Sequence, residues 1–184
     1  SLIMVKSAYS FASRAEKIEK HIIVVWVDNE AGVLARVIGF FSGRGYNIDS
    51  LAVAEVDKKK NISRITIATS GTPKVLQQIK LQLEKLVPVH KVADFPSDKR
   101  TLMREMALLK VVSSTVKLEK ARKACKKYKY TILDKTKKSF VVEVSALKKE
   151  IDELIKKLQP LGLASASRTG VVAMTKGAEI FKQQ

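Results

Sequence analysis

The 184-residue chain contains one cysteine, Cys125, and two histidines, His21 and His90. A single cysteine excludes an internal disulfide, and two isolated histidines leave no Cys/His spacing for a zinc site. Cys125 reads as part of a helix face. No apolar run approaches the roughly 20 residues needed to span a bilayer. No Ser-His-Asp or Cys-His set, metal cluster or phosphate loop can be built, which argues against an enzyme. Asp28 and Glu30 could pass for an acid pair, but carboxylates near a helix start are common because they suit its dipole.

Acidic residues are about half as numerous as basic ones, 18 Asp+Glu against 35 Lys+Arg, for a formal charge of +17. The excess is uneven. Residues 1–95 carry 14 basic against 9 acidic residues, and residues 96–184 carry 21 against 9. Much of it lies between Lys117 and Lys138, where lysine dominates and the nearby aromatics are Tyr128 and Tyr130. That composition fits a solvated helix face; the alternative is a docking surface for an acidic protein or polyanion. The 46% hydrophobic content is ordinary for a globular chain, enough for one domain or two small ones.

Residues 1–19 stand apart. Up to Ala15 they hold Lys6, Arg14 and several serines but no acidic residue, the composition of a short targeting peptide. They are expected to form a flexible N-terminal extension of a cytoplasmic protein, with an organellar address as the alternative.

From Lys20 the chain alternates strand-like and helix-like segments. His21–Val27 is β-branched and apolar, a strand. Gly32–Gly43 carries Val33, Leu34, Val37, Ile38, Phe40 and Phe41 at helical spacing. Asn47–Val56 and Ile62–Thr69 read as strands joined by a charged turn. Thr72 and Pro73 are an N-cap and first helical residue for a helix reaching Leu86, and Pro88–Phe95 closes the set. The order is βαββαβ, the ferredoxin-like unit. After a linker over 96–103 the order repeats, with strands at Arg104–Ser113, Tyr130–Asp134, Phe140–Val144 and Gly162–Ser167. Helices are expected at Val116–Tyr128 and Ala146–Leu158. The fold class is therefore α+β, with two ferredoxin-like modules at 20–95 and 104–184. Four-stranded sheets with helices on one face leave the other face and the edges open, so a homodimer is expected.

The most informative stretch runs from Val27 to Ile48. An apolar strand ends in a polar turn, and the helix that follows has a glycine, Gly32, at its start. The first amides of a helix lack intrahelical partners, so the arrangement suits a small carboxylate such as that of an amino acid.

The run Asp28-Asn29-Glu30-Ala31-Gly32-Val33-Leu34-Ala35-Arg36-Val37, continuing through Arg44-Gly45-Tyr46-Asn47-Ile48 to Asp49-Ser50-Leu51, closely resembles the opening of acetolactate synthase small subunits. Ser63–Ile67, the pieces Gln78-Ile79, Gln82-Leu83, Lys85-Leu86-Val87 and Val89, Arg104–Val111 and Ser167-Arg168-Thr169-Gly170 resemble later parts of that family, and the similarity covers about residues 20–177. The resemblance implies an N-terminal ACT domain, a C-terminal ACT-like domain and a non-catalytic role. Implied partners are a second copy of the chain and the large catalytic subunit. The chain itself would bind no cofactor; thiamine diphosphate, Mg and FAD would reside on the catalytic partner. Valine, or another branched-chain amino acid, would bind between two ACT domains. Carried over by position, Asn29, Gly32, Val33 and Leu34 would come from one protomer, and Asn47 with Ile48 from the facing one. The asparagine amides suit the two ends of a zwitterion, and Val33 and Leu34 could line an apolar pocket. Other amino-acid-sensing ACT proteins are the nearest alternative. An RNA-recognition module shares the element order, but the third strand, Ile62–Thr69, has no aromatic on which a base could stack.

Overall fold

A computed structural model describes residues 17–96 and 100–178. Most of the expected N-terminal extension lies outside the described residues. The first module runs β1 (Glu19–Asp28), α1 (Val33–Gly43), β2 (Ser50–Asp57), β3 (Ile62–Gly71), α2 (Pro73–Leu83) and β4 (Val89–Pro96). Its sheet has the order β2-β3-β1-β4 with antiparallel neighbours, so β2 and β4 are the edges. Both helices lie on one face. Val33, Val37, Phe40 and Phe41 of α1 and Leu76, Ile79 and Leu83 of α2 pack against Ile23, Val25, Ile65 and Ile67.

Helix α2 begins as its sequence requires: the Thr72 hydroxyl accepts the Val75 N–H at 3.3 Å and Pro73 occupies the first turn. It ends at Leu83, three residues short of Leu86. The amides of Lys85 and Leu86 donate to carbonyls three residues back, so the apolar stripe continues through a tightened turn.

The second module runs β5 (Thr101–Val112), α3 (Thr115–Cys125), β6 (Lys129–Lys135), β7 (Ser139–Ala146), α4 (Lys148–Leu158), β8 (Leu163–Arg168) and β9 (Val172–Thr175). Its order is β6-β7-β5-β8, the same topology, with β9 as an addition along β5. Ser114 caps α3, its hydroxyl accepting the Lys117 N–H at 3.4 Å. α4 starts two residues later than the pattern suggests, after Leu147, whose N–H donates to the Glu150 carboxylate at 3.3 Å. Cys125 lies fully buried on the inner face of α3, and burial pushes its thiol up to about 11.

The two modules are tied by one long antiparallel ribbon. β5 pairs with β8 from Ala107 to Val111 and with β9 from Thr101 to Arg104. Thr101–Met103, expected to belong to the linker, therefore open β5, and the tail after Arg168 continues as β9. Between the two pairings the chain kinks at Thr169-Gly170. Gly170 takes φ +83°, and the Thr169 hydroxyl accepts the Met106 N–H at 3.1 Å in place of a ladder bond. Beyond the kink the ribbon crosses the outer face of the first sheet. Met103, Val171 and Ala173 pack there against Ile22, Val24 and Trp26. The expectation that this face is uncovered is thus corrected: the chain's own C-terminal ribbon lies on it. The β2 edge, with Val53, Ala54 and Glu55 exposed, remains open.

Candidate functional site

Strand β1 delivers the chain to Asp28 at the end of the sheet, and a turn over 29–32 reverses it into α1. Asn29 is fixed by a reciprocal pair of contacts with the β2–β3 turn. Its N–H donates to the Asn61 carbonyl at 2.8 Å, and Asn61 Nδ2 donates to the Asn29 carbonyl at 3.2 Å. Asn61 occupies a left-handed conformation, φ 54°, which asparagine tolerates better than most residues. The Asn29 side-chain amide donates to Glu55 of β2 at 3.3 Å. Next to it, Asp28 pairs with His90 across β1 and β4.

Gly32 forms the start of α1 with φ +84°, and a Cβ built there meets nothing within 4 Å. Glycine is favoured here by the backbone angle, which carries little strain only without a side chain, and the space before it is open. The Val33 N–H donates to Glu30 and the Arg36 N–H to Gly32, while the amides of Leu34 and Ala35 have no acceptor among the described residues. Helices α2 and α3 differ, since a threonine or serine hydroxyl takes a first-turn amide in each. α1 also has no acidic side chain within its first turn, the nearest carboxylates in sequence being Asp28 and Glu30 before Gly32. The start of α1 can accept a carboxylate from outside.

The expected apolar lining divides. Val33 is buried in the core of the module, packed beneath the start of α1. Leu34 points outward, 38% exposed.

Asn47 and Ile48 lie at the other end of α1, about 16 Å of helix away. Asn47 Nδ2 donates to Asp49 Oδ1 at 2.6 Å, and the Asn47 carbonyl accepts the Thr69 hydroxyl at 2.5 Å. Ile48 packs partly against the core. One chain therefore brings Asn29, Gly32 and Leu34 together and holds Asn47 and Ile48 apart from them. Both groups flank the same edge strand: Asn29 touches Glu55 near the end of β2, and Asn47 precedes its start.

The contacts around the site involve Glu55, Asn61, Asp49 and Thr69, to none of which the sequence reading assigns a role. Asn61 alone had a local signal, as the last residue of a charged turn where a left-handed asparagine is common. Asp49 and Thr69 also border a cavity of about 320 Å³ where the modules meet, with Lys20, His21, Met103 and Val171 around it. Neither Asn29 nor Gly32 reaches that cavity. Groups with potential chemistry are otherwise engaged. Both ring nitrogens of His21 contact carboxylates, Asp94 at 2.6 Å and Glu19 at 2.9 Å, and Cys125 is buried as a thiol. No group of three or more metal-ligating side chains gathers among the described residues. No described helix is long and apolar enough to cross a membrane.

Residues 23–91 match the family model for the AHAS small subunit-like ACT domain, and residues 104–177 that for the small subunit of acetolactate synthase. The acetolactate synthase small subunit of Aquifex aeolicus is 34% identical over 93% of this chain and 88% of its own length. The isozyme 3 small subunit of Salmonella typhimurium is 35% identical over 89% of this chain and 99% of its own. Among solved structures, the small subunit from Thermotoga maritima superposes with a TM-score of 0.77 at 30% identity, covering 87% of this chain and 99% of that one.

Proposed function

The chain belongs to the acetolactate synthase small-subunit family, and from that premise we propose that it is a non-catalytic regulatory subunit whose effector is a branched-chain amino acid, valine first. It binds the large catalytic subunit of acetolactate synthase and raises its activity. Thiamine diphosphate, Mg and FAD belong to that partner. Valine returns the complex to a less active state. The shift is bounded by valine's differential affinity for the two states, typically about 1–3 kcal/mol.

One observation carries the effector site: the half-sites Asn29–Gly32–Leu34 and Asn47–Ile48 flank opposite ends of an unpaired edge strand. A two-fold axis at the middle of that edge pairs β2 with its copy antiparallel, which removes the open row of backbone groups. The same operation brings the partner subunit's Asn47 beside Asn29 and the uncapped amides of α1. The ligand carboxylate then meets Leu34 and Ala35 N–H, its ammonium meets asparagine oxygens, and its branched side chain meets Leu34 and the partner's Ile48. A homodimer thereby holds two equivalent sites.

Gly32→Asp tests the reading. A Cβ at Gly32 meets no atom within 4 Å, and aspartate is among the residues that best tolerate a left-handed backbone, so the stability loss is expected to stay near 1 kcal/mol. Its carboxylate occupies the place of the ligand's. With the catalytic subunit reconstituted, acetolactate formation should remain activated by the variant and lose its response to valine. Retained valine inhibition would sink the assignment of Gly32 to the site.

A further inference from the structure

The segment from Asn47 to Leu51 is gripped from two sides. Asp49 holds the Asn47 amide through Oδ1, as described, while its Oδ2 accepts the Ser70 hydroxyl at 2.6 Å and its N–H donates to the Ala68 carbonyl at 2.8 Å. Thr69, which donates to the Asn47 carbonyl, is itself fully buried. Asn47 is thus fixed against β3 by Asp49 and Thr69 together.

The other grip belongs to the second module. Ser50 Oγ accepts the Val171 N–H at 3.3 Å. Gly170 lies so close to β2 that a Cβ there would stand 2.6 Å from the Leu51 carbonyl oxygen. Val171 is buried among Ile22, Val24 and Trp26. Immediately before this contact, Arg168 ties the kink to the rest of its module. It donates to the buried Glu105 carboxylate, to Asp152 at 2.6 Å and to the Lys148 carbonyl at 3.4 Å. Asn47 and the kink therefore hold adjoining residues of one short segment. Asn47 is bonded to Asp49, and Ser50, the next residue, is bonded to the kink.

We propose that Asp49 is a positioning residue for Asn47, and that the segment Asp49–Leu51 couples effector occupancy to the seating of the Thr169–Val171 kink on the first sheet. The proposal rests on the effector-site reading above. Ligand binding to Asn47 tightens the kink, and the kink carries the change through Arg168 to α4 of the second module. The coupling is reciprocal, so loosening the kink weakens the ligand by the factor by which the ligand secures the kink.

Hydrogen exchange and calorimetry on the full-length chain, with valine as the probe, test this together. In the wild type, valine should slow exchange across residues 168–175 by about fivefold or more, leaving β7 unchanged; that factor corresponds to the lower end of the usual coupling range. Gly170→Ala should weaken valine about fivefold or more, and Ser50→Ala, which removes one hydrogen-bond acceptor, roughly two- to tenfold. Ser50→Ala decides the matter if the glycine variant fails to fold. Asp49→Ala should weaken valine with Asn47 intact, whereas a purely structural role would lower the melting temperature and spare the affinity. Valine binding to the wild type with unchanged exchange at 168–175, and unchanged affinity in Ser50→Ala, overturns the coupling and leaves the site standing. A wild-type chain that binds no valine overturns the site itself, and the coupling with it.

Discussion

In the first module the central strand is buried on both faces, from Ile22 through Val27, while in the second the central strand alternates buried and partly exposed residues from Glu105 onward. The topologies are the same, yet β1 reads His-Ile-Ile-Val-Val-Trp-Val and β5 reads Glu-Met-Ala-Leu-Leu-Lys-Val. Continuous apolar strands belong to sheets covered twice, alternating ones to sheets with a wet face. The difference shows that the modules are not equivalent repeats. The second supplies the ribbon that covers the first, and its own outer face stays open, with Leu108, Glu143 and Lys110 along it. Under the proposed function, sensing falls to the first module and reporting to the second, and the Thr169-Gly170 kink joins them.

The most severe test of that contrast places the same charge on the two outer faces. Val24→Lys buries an ammonium under the ribbon, where Val24 is 1% exposed, and should lose several kcal/mol or prevent the first module from folding. Leu108→Lys, at the matching place on β5 opposite Glu143, should change stability by less than about 1 kcal/mol. Urea denaturation of both variants measures the gap, and equal losses would remove the distinction between covered and open faces.

A smaller effect is expected at the anchor of the kink. Glu105 is 2% exposed and its carboxylate depends on Arg168, so Arg168→Met should destabilise the chain by about 3 kcal/mol. Replacing both partners, Glu105→Leu with Arg168→Met, should recover much of that loss, because no uncompensated charge remains. A double variant no better than the single one would mean the pair acts through something other than its charges.

The smallest effect is electrostatic. Burial opposes ionisation of Asp152, but hydrogen bonds from Arg168 and Lys148 outweigh it and hold its carboxyl below the usual range. A lowered folded-state value means the contribution is fully present above the unfolded value, about pH 4, and fades as pH falls through the folded one. Asp152 is nearly half exposed, so the loss is modest. Thermal melts between pH 5 and 2 should fall less steeply in Asp152→Asn than in the wild type, and parallel curves would count against the anchor.

Most of this architecture was legible in the sequence because each element carries its own period and some carry their own cap, as Thr72-Pro73 shows for α2. β9 was not. Four half-exposed residues after a glycine have no strand signal, and their partner, Thr101–Arg104, looks like the end of a linker. Pairing between segments about 70 residues apart leaves no local trace. At the candidate site the sequence pointed to Asn29, Gly32 and Asn47, but it could not separate Val33 from Leu34. Both are apolar, and only the angle at which α1 meets the sheet sends one to the core and the other outward. Glu55, Asp49 and Thr69 were invisible for the same reason as β9.

Under the proposed function two copies of this chain complete one amino-acid site, and mixing two defective chains shows whether they do. Asn29→Ala and Asn47→Ala homodimers should each bind valine poorly. Subunit exchange between them creates mixed dimers with one intact site each, so calorimetry on the mixture should recover roughly a quarter of the wild-type sites at wild-type affinity. If the mixture binds no more valine than its components, the site does not span two chains, and the account is contradicted.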